Sequence, residues 1–158
     1  MSEHEMQHRG GIFHRLAALG EPVTEILSPL ALLALRLPTA LVFWFSARTK
    51  VEGWNIFEIT ASQPFLFEYE YGLPFPAVTA HVTAVAEHVL AALVIVGLFT
   101  RLGALGLLLM TAVIQTFIYT SFEVWWNIHM WWAVTMFAVV ALGPGRFSVD
   151  YLVFRRVP

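Results

Sequence analysis

Residues 77–99 read AVTAHVTAVAEHVLAALVIVGLF, and this stretch decides the fold. Its length is that of a helix crossing a bilayer, which takes about 20 mainly apolar residues. It nevertheless contains His81, Glu87 and His88. An ionised group at the centre of a membrane helix costs roughly 2.5–3.5 kcal/mol, so such residues usually face the interior of a helix bundle and pair there.

Three other stretches are also long and apolar enough to span a membrane. The chain is 58% apolar and only 13% charged, whereas about a quarter of the residues in soluble proteins are charged. We therefore predict an all-α, polytopic membrane protein, a bundle of four transmembrane helices. The spans are predicted at about 27–46, 77–99, 102–121 and 124–142, within a membrane domain of residues 27–142. An outer loop is predicted at 47–76, and tails at 1–26 and 143–158.

Composition and charge exclude several kinds of function. The chain contains no cysteine, so it forms no disulfide and holds no iron–sulfur cluster through thiolates. Its formal net charge of −2 gives no indication of a nucleic-acid partner. The polar N-terminal residues of mixed charge do not have the pattern of a cleaved signal peptide.

Basic residues are distributed unequally between the two sides of the predicted membrane domain. Six arginines lie in the two tails and at the turn between spans two and three, whereas Arg48 and Lys50 lie in the remaining connections. Because Lys and Arg accumulate on the cytoplasmic side, both termini are expected in the cytoplasm. The localisation expected is a bacterial inner membrane, with the long loop on the outer side.

The outer loop combines acidic and aromatic residues, which is not typical of a disordered linker. We expect a short interfacial helix near residues 54–61, followed by a loop that folds back. A connection of this length is often a functional lid. A cap that only covers the bundle is an equally good interpretation.

Counting from these span boundaries places Arg36 and Glu87 near the middle of the membrane. We predict that they form a buried pair, because pairing is how such charges are tolerated in a bilayer. The pair then either fixes the register of the first two spans or also orients a ligand or passes a proton.

Further polar residues are expected in the outer half of the bundle, namely Lys50, Gln115 and His129. Trp125, His129 and Trp132 have the spacing of one helix face. An aromatic wall with nearby hydrogen-bond donors suits the ring and the two carbonyl oxygens of a quinone. We predict that Lys50, Gln115 and His129 are donors to a quinone head group or a small anion, with Trp125 and Trp132 as the wall.

The histidines also permit a metal site. His81, His88 and His129, with Glu87, are the candidate binding residues of a metal or small-anion carrier. However, dedicated helical sites usually place histidines four residues apart, or a glutamate and a histidine three apart, and the spacing here differs. A structural role for each histidine is therefore favoured, and no metal site is assigned.

The order of several motifs resembles the DoxX family of small four-helix bacterial membrane proteins. These are Arg36 in span one, the ARTK segment ending at Lys50, Glu87 in span two, GLFTR at 97–101 and GPGRFSVD at 143–150. The resemblance extends over about residues 27–151. By position, Arg36, Lys50, Glu87 and Arg101 match the family pattern, and His129 stands where relatives have a polar residue. Two glycine-containing segments typical of the family are replaced here, before Lys50 and after Glu87.

The resemblance implies a four-helix bundle with a redox association. Relatives include a subunit of a thiosulfate:quinone oxidoreductase and membrane partners of oxidative-stress enzymes. The expectation is therefore a quinone-linked redox subunit that works with a partner protein. The alternative is a non-catalytic accessory subunit of a larger complex, in which Gly103, Ala104, Gly106 and Ala112 would allow close contact with another helix.

Reporter fusions test the orientation. A fluorescent protein that folds only in the cytoplasm should fluoresce when it is fused after Pro158, and alkaline phosphatase at the same position should be inactive. Fusions after Gly72, in the outer loop, should give the opposite pattern. Active phosphatase at the C-terminus would reverse the assignment of both faces.

Overall fold

Helices form 76% of this chain. The computed structural model describes the backbone of residues 3–154 and the side chains of residues 24–154. Its α-helices are α1 (Glu3–Arg48), α2 (Gln63–Tyr69), α3 (Pro76–Val96), α4 (Thr100–Val113), α5 (Phe122–Val124), α6 (Met130–Leu142) and α7 (Val149–Phe154). Two π-helical turns, Ile114–Ile118 and Trp125–His129, continue α4 and join α5 to α6.

Four helical segments are long and apolar enough to cross a membrane, namely Thr24–Arg48, Pro76–Val96, Thr100–Ile118 and Phe122–Leu142. Helix α1 packs on α3, α3 on α4, α4 on α6 and α6 on α1, so the four spans form a closed ring. The prediction of an all-α, four-helix membrane protein is confirmed. The bounds differ in detail, since α1 already begins within the predicted N-terminal tail and α7 lies within the predicted C-terminal one.

Each membrane helix contributes to one continuous core. Phe43 of α1, Val94 of α3, Leu107 of α4 and Met136 of α6 are almost completely buried in it. The hydroxyls of Thr39 and Thr135 hydrogen-bond across the core at 2.6 Å. Because lipid is as apolar as these side chains, close packing and interhelical hydrogen bonds stabilise the bundle rather than hydrophobic burial.

The small residues of α4 mostly face α3 instead of an external partner. A Cβ atom added at Gly103 would lie 3.2 Å from the carbonyl oxygen of Leu90, and one at Gly106 would lie 2.7 Å from the Leu90 side chain. Ala104 is buried in the core. Three of the four predicted contact residues therefore serve packing within the bundle.

The long loop contains a helix, but not where the sequence predicts it. Lys50 and Thr60 are joined by a backbone hydrogen bond beside an isolated bridge between Val51 and Ile59, and the segment between them turns back on itself. The helix is α2, which begins next to Pro64. Proline suits a first helical turn because its missing N–H has no partner there. The prediction of a helix at 54–61 was wrong. Gly53 lies in a turn at the start of this segment, and the helix begins later, beside Pro64.

The end of the bundle that carries Gly143–Gly145, here called the GPG end, is closed by hydrogen bonds between distant segments. The Asp150 carboxylate accepts from the N–H of Phe99 at 2.8 Å and from the N–H and hydroxyl of Thr100 at 2.9 and 2.8 Å. It satisfies donors that the first turn of α4 leaves without intrahelical partners. A carboxylate is also favoured at this positive end of the helix dipole.

Only glycine fits at position 97, which lies at the GPG end. Its φ of +78° is left-handed, and an added Cβ would lie 2.6 Å from both the Arg36 guanidinium and the Ser148 side chain. We expect Gly97→Ala to lower the free energy of unfolding by about 2–4 kcal/mol, from backbone strain plus overpacking. The measurement is thermal unfolding of the purified protein in detergent.

Gly53 provides the matched control. It is also left-handed, at φ +57°, but an added Cβ would meet nothing within 4 Å. Gly53→Ala should therefore lower the free energy of unfolding only through backbone strain, by about 1 kcal/mol. Equal losses of unfolding free energy in the two variants would show that the close contacts at Gly97 do not affect stability.

Candidate functional site

Glu87, in the middle of α3, forms an ion pair with Lys50, which follows the end of α1. Lys50 Nζ and Glu87 Oε2 are 2.8 Å apart, and the glutamate side chain is only 3% exposed. Lys50 Nζ also donates to the carbonyl oxygen and the hydroxyl of Ser46, at 3.2 and 2.8 Å. All three ammonium hydrogens of Lys50 are therefore engaged within the protein.

The predicted pair of Arg36 and Glu87 does not form. Arg36 is buried at the GPG end, where it donates to the carbonyl oxygens of Pro144 at 3.0 Å, Phe147 at 2.7 Å and Ile95 at 3.4 Å. Ile95 is eight residues beyond Glu87, a distance of about 12 Å along the helix. The two charges belong to opposite ends of the bundle.

The error has a physical cause, which is the height at which α3 begins. The prediction placed the ends of the first two spans at equal depth. In the structure the end of α1 meets α3 at Glu87, so residues 76–86 of α3 extend beyond it by about 16 Å. The loop that contains α2 covers this overhang, and α2 packs on α3. We call this covered end the loop end.

A cavity of about 480 Å³ lies beneath the loop end, between the four spans. Such a volume is within the range of small-molecule sites, about 300–1,000 Å³. Its wall is mainly apolar, with the Lys50–Glu87 pair and His129 among its polar members. The loop contributes Phe67, Tyr71 and Leu73 to this wall. The loop is thus part of the site and not a cap outside it.

His129 and Gln115 are held together by the two π-helical turns. Each residue lies in one of these turns, and His129 Nδ1 is 2.7 Å from Gln115 Oε1. Helical irregularities of this kind occur frequently at functional sites. Gln115 Nε2 donates in turn to the carbonyl oxygen of Ser121 at 3.3 Å.

This chain of hydrogen bonds assigns the hydrogen of the His129 ring. The Gln115 amide directs its nitrogen at an acceptor, so its oxygen faces His129. The hydrogen of a neutral His129 is therefore on Nδ1, and Nε2 can only accept. In the part of the chain that the structure describes, Nε2 has no hydrogen-bond partner.

These contacts correct the predicted donor set. Lys50 has no free N–H, neutral His129 offers a lone pair, and Gln115 positions His129 without lining the cavity. Trp132 does line the cavity, with its ring 5.0 Å from the His129 ring, but Trp125 does not. The extra residue in the π-helical turn rotates Trp125 away from the face expected for a regular α-helix.

The remaining histidines do not join His129. His81 is exposed on α3, and its Nδ1 is 2.8 Å from the carbonyl oxygen of Ala77. His88 is buried beside Trp44, with Nδ1 2.7 Å from the carbonyl oxygen of Ala84. Among residues 24–154, no three His, Cys, Asp or Glu side chains lie close enough to hold a metal ion. The metal-carrier interpretation is therefore not supported by the structure.

Sequence reasoning missed two tyrosines. Tyr71 from the loop and Tyr119 from the end of the third span both line the cavity, with ring centroids 6.2 Å apart. Burial raises the pKa of the Tyr71 hydroxyl. Tyr71 therefore stays a neutral phenol at physiological pH. The aromatic composition of the loop was the only signal that pointed to it.

Comparison with known proteins gives one family. The DoxX family model matches residues 31–120, more than half of the chain. The chain belongs to the DoxX family. No curated protein and no solved structure gives a significant match. The family range of this DoxX protein includes Lys50, Glu87 and Gln115, and it ends before His129.

The four positions that match the DoxX pattern divide between the two ends of the bundle. Lys50 and Glu87 form the ion pair at the cavity. Arg36 binds carbonyl oxygens at the GPG end, and the Arg101 guanidinium lies about 3 Å from where a Cβ on Gly143 would be. The GLFTR and GPGRFSVD motifs meet there through Asp150. In this DoxX protein, these two motifs hold helices together, away from the cavity.

A double-mutant cycle tests which charges are paired. Breaking a buried pair leaves an uncompensated charge, so we expect Lys50→Gln and Glu87→Gln each to lower the free energy of unfolding by about 3–5 kcal/mol. The double variant should lose clearly less than the sum of the two. Unfolding in mixed micelles gives these values.

The control cycle combines Arg36→Gln with Glu87→Gln. Because these residues do not touch, their losses should add to within about 0.5 kcal/mol. Coupling in this cycle, or additivity in the first, would contradict the pairing described above.

Proposed function

We propose that this DoxX protein is the quinone-binding membrane subunit of an oxidoreductase, with the cavity at the loop end as its site. The observation that carries the proposal is the cavity itself. It is lined by all four spans and the loop, among the helices that are long and apolar enough to cross a membrane. Quinones dissolve in the bilayer, so a site at membrane depth is where such a ligand would be met.

The wall of the cavity fits the chemistry of a quinone ring. Phe43, Trp132 and Met110 provide flat and flexible apolar surface for the ring and its tail. The tyrosine hydroxyls and the Trp132 indole N–H can donate to ring oxygens, and His129 Nε2 can accept from a ring hydroxyl. A mainly apolar wall with few polar groups is typical of small-molecule sites.

The residues present assign roles toward that ligand. Trp132 and Phe43 would pack against the ring, with their own rings held edge to face at 5.5 Å. His129 would hold or release a proton at Nε2, and the Lys50–Glu87 pair would keep the adjacent wall polar without net charge. Electrons would pass between the ligand and a partner protein that holds a redox cofactor.

Binding of a short-chain ubiquinone or menaquinone analogue to the purified protein tests the proposal. We expect His129→Ala to weaken binding of the reduced form of the analogue, whose ring hydroxyl can donate to Nε2, by about 0.5–1.5 kcal/mol, the value of one hydrogen bond, and to leave the bundle folded. Calorimetry in lipid nanodiscs measures the affinity, and circular dichroism checks the fold.

His81→Ala is the matched control, since it removes the same side chain from an exposed position on α3. It should leave the affinity unchanged. Equal weakening in the two variants would argue against the cavity as the site. Absence of binding by any analogue to the unaltered protein would refute the proposed function.

A further inference from the structure

Two of the side chains that line the cavity, those of His129 and Glu87, offer it only acceptor atoms. His129 Nε2 carries a lone pair, because Gln115 holds the ring hydrogen on Nδ1. The Glu87 carboxylate only accepts. The ammonium group of Lys50 beside it has no free hydrogen, because all three are donated to Glu87 and Ser46. The Trp132 indole N–H, which only donates, has no hydrogen-bond partner among the described residues and can donate to the ring oxygens of either redox form.

The other polar groups of the wall are hydroxyls, which donate or accept as needed. Ser46 accepts from Lys50 and interacts with the Glu87 carboxylate. The Tyr71 and Tyr119 hydroxyls can each donate or accept. Thr83 adds one more hydroxyl. A ligand that brings its own O–H groups would satisfy this wall better than one with carbonyl oxygens alone.

We infer that the cavity selects the reduced, hydroxyl-bearing form of its ligand, a hydroquinone, and that His129 Nε2 accepts a hydrogen bond from its ring hydroxyl. The inference rests on the proposed function and adds to it the redox form that is bound. A quinone has two carbonyl oxygens and no O–H, so it would leave Nε2 of His129 unsatisfied in a desolvated site. Leaving a buried acceptor unpaired carries the full desolvation penalty of that group.

Gln115 is then a positioning residue that sets the selectivity without touching the ligand. Its amide oxygen fixes the tautomer of His129, and the carbonyl oxygen of Ser121 fixes the amide. With leucine at 115, the hydrogen of His129 is free to move to Nε2. The ring would then donate to a quinone carbonyl as readily as it accepts from a hydroquinone.

The first experiment measures the tautomer directly. Nitrogen NMR of the full chain, labelled with the heavy nitrogen isotope in histidine, distinguishes protonated from bare ring nitrogens, and the His129→Asn spectrum identifies the signal. We expect His129 to be protonated on Nδ1 and bare on Nε2. A hydrogen on Nε2 would overturn the inference, and it would leave the proposed quinone site standing.

The second experiment compares the two redox forms of one probe. Decylubiquinol and decylubiquinone are titrated anaerobically into the full chain in nanodiscs. We expect the quinol to bind on the order of tenfold more tightly, the effect of about one hydrogen bond. In Gln115→Leu this ratio should fall toward one, whereas Thr116→Val, an exposed neighbour on the same span, should keep it.

The outcomes separate the two claims. Equal or tighter binding of the quinone, or an unchanged ratio in Gln115→Leu, would overturn the selectivity while the quinone site remains. Failure of both forms to bind would refute the proposed function and the selectivity together. If Gln115→Leu does not fold, the tautomer and the ratio in the unaltered protein still decide the question.

Discussion

The Lys50–Glu87 ion pair is the interaction on which the rest of the site depends. Neither charge is tolerated alone inside a bilayer, so each requires the other. Their contact fixes the end of α1 against the middle of α3. The first three turns of α3 then extend beyond α1 and need a cover. The loop provides it, and the space between loop and spans is the cavity.

The opposite end of the bundle contrasts with this arrangement. At the GPG end, Arg36 and Asp150 are used to satisfy backbone groups, and the close contacts of Gly97 leave no room for a side chain. The GPG end also has an open surface groove of about 600 Å³ beside Arg101 and Asp150, whereas the cavity at the loop end lies between the spans. The division explains why residues of one family pattern serve two purposes in this protein.

Most of the fold could be predicted from the sequence, because span length and composition are local properties that the bilayer thickness constrains. Membership of the DoxX family could also be predicted, from the order of Arg36, Lys50, Glu87 and the two glycine motifs. The partner of Glu87 could not be predicted from the sequence. It depends on the relative heights of α1 and α3, which span length and composition do not indicate.

The site was predictable only in part for a related reason. Lys50, His129 and Trp132 do line the cavity, so depth along each span was sufficient to select them. Whether these side chains donate or accept hydrogen bonds could not be predicted, because that follows from contacts between spans. The π-helical turns that bring Gln115 to His129 and turn Trp125 away leave no signal in hydrophobic periodicity. Tyr71 and Tyr119 meet only because the loop folds back.

The charge of the cavity wall also decides what it can hold. Lys50 is the one basic side chain among the lining residues, and its charge is cancelled by Glu87 at 2.8 Å. A small anion would have to give up its hydration and compete with Glu87 for an ammonium group that has no free hydrogen. The desolvation penalty of an ion in a medium of low dielectric constant is several kcal/mol even after relaxation. A neutral ring with hydroxyl groups has no such penalty, and it can enter from the lipid itself. The ion pair that builds the cavity therefore also selects against charged ligands, which favours the hydroquinone over the small anion that the same residues suggested in the sequence.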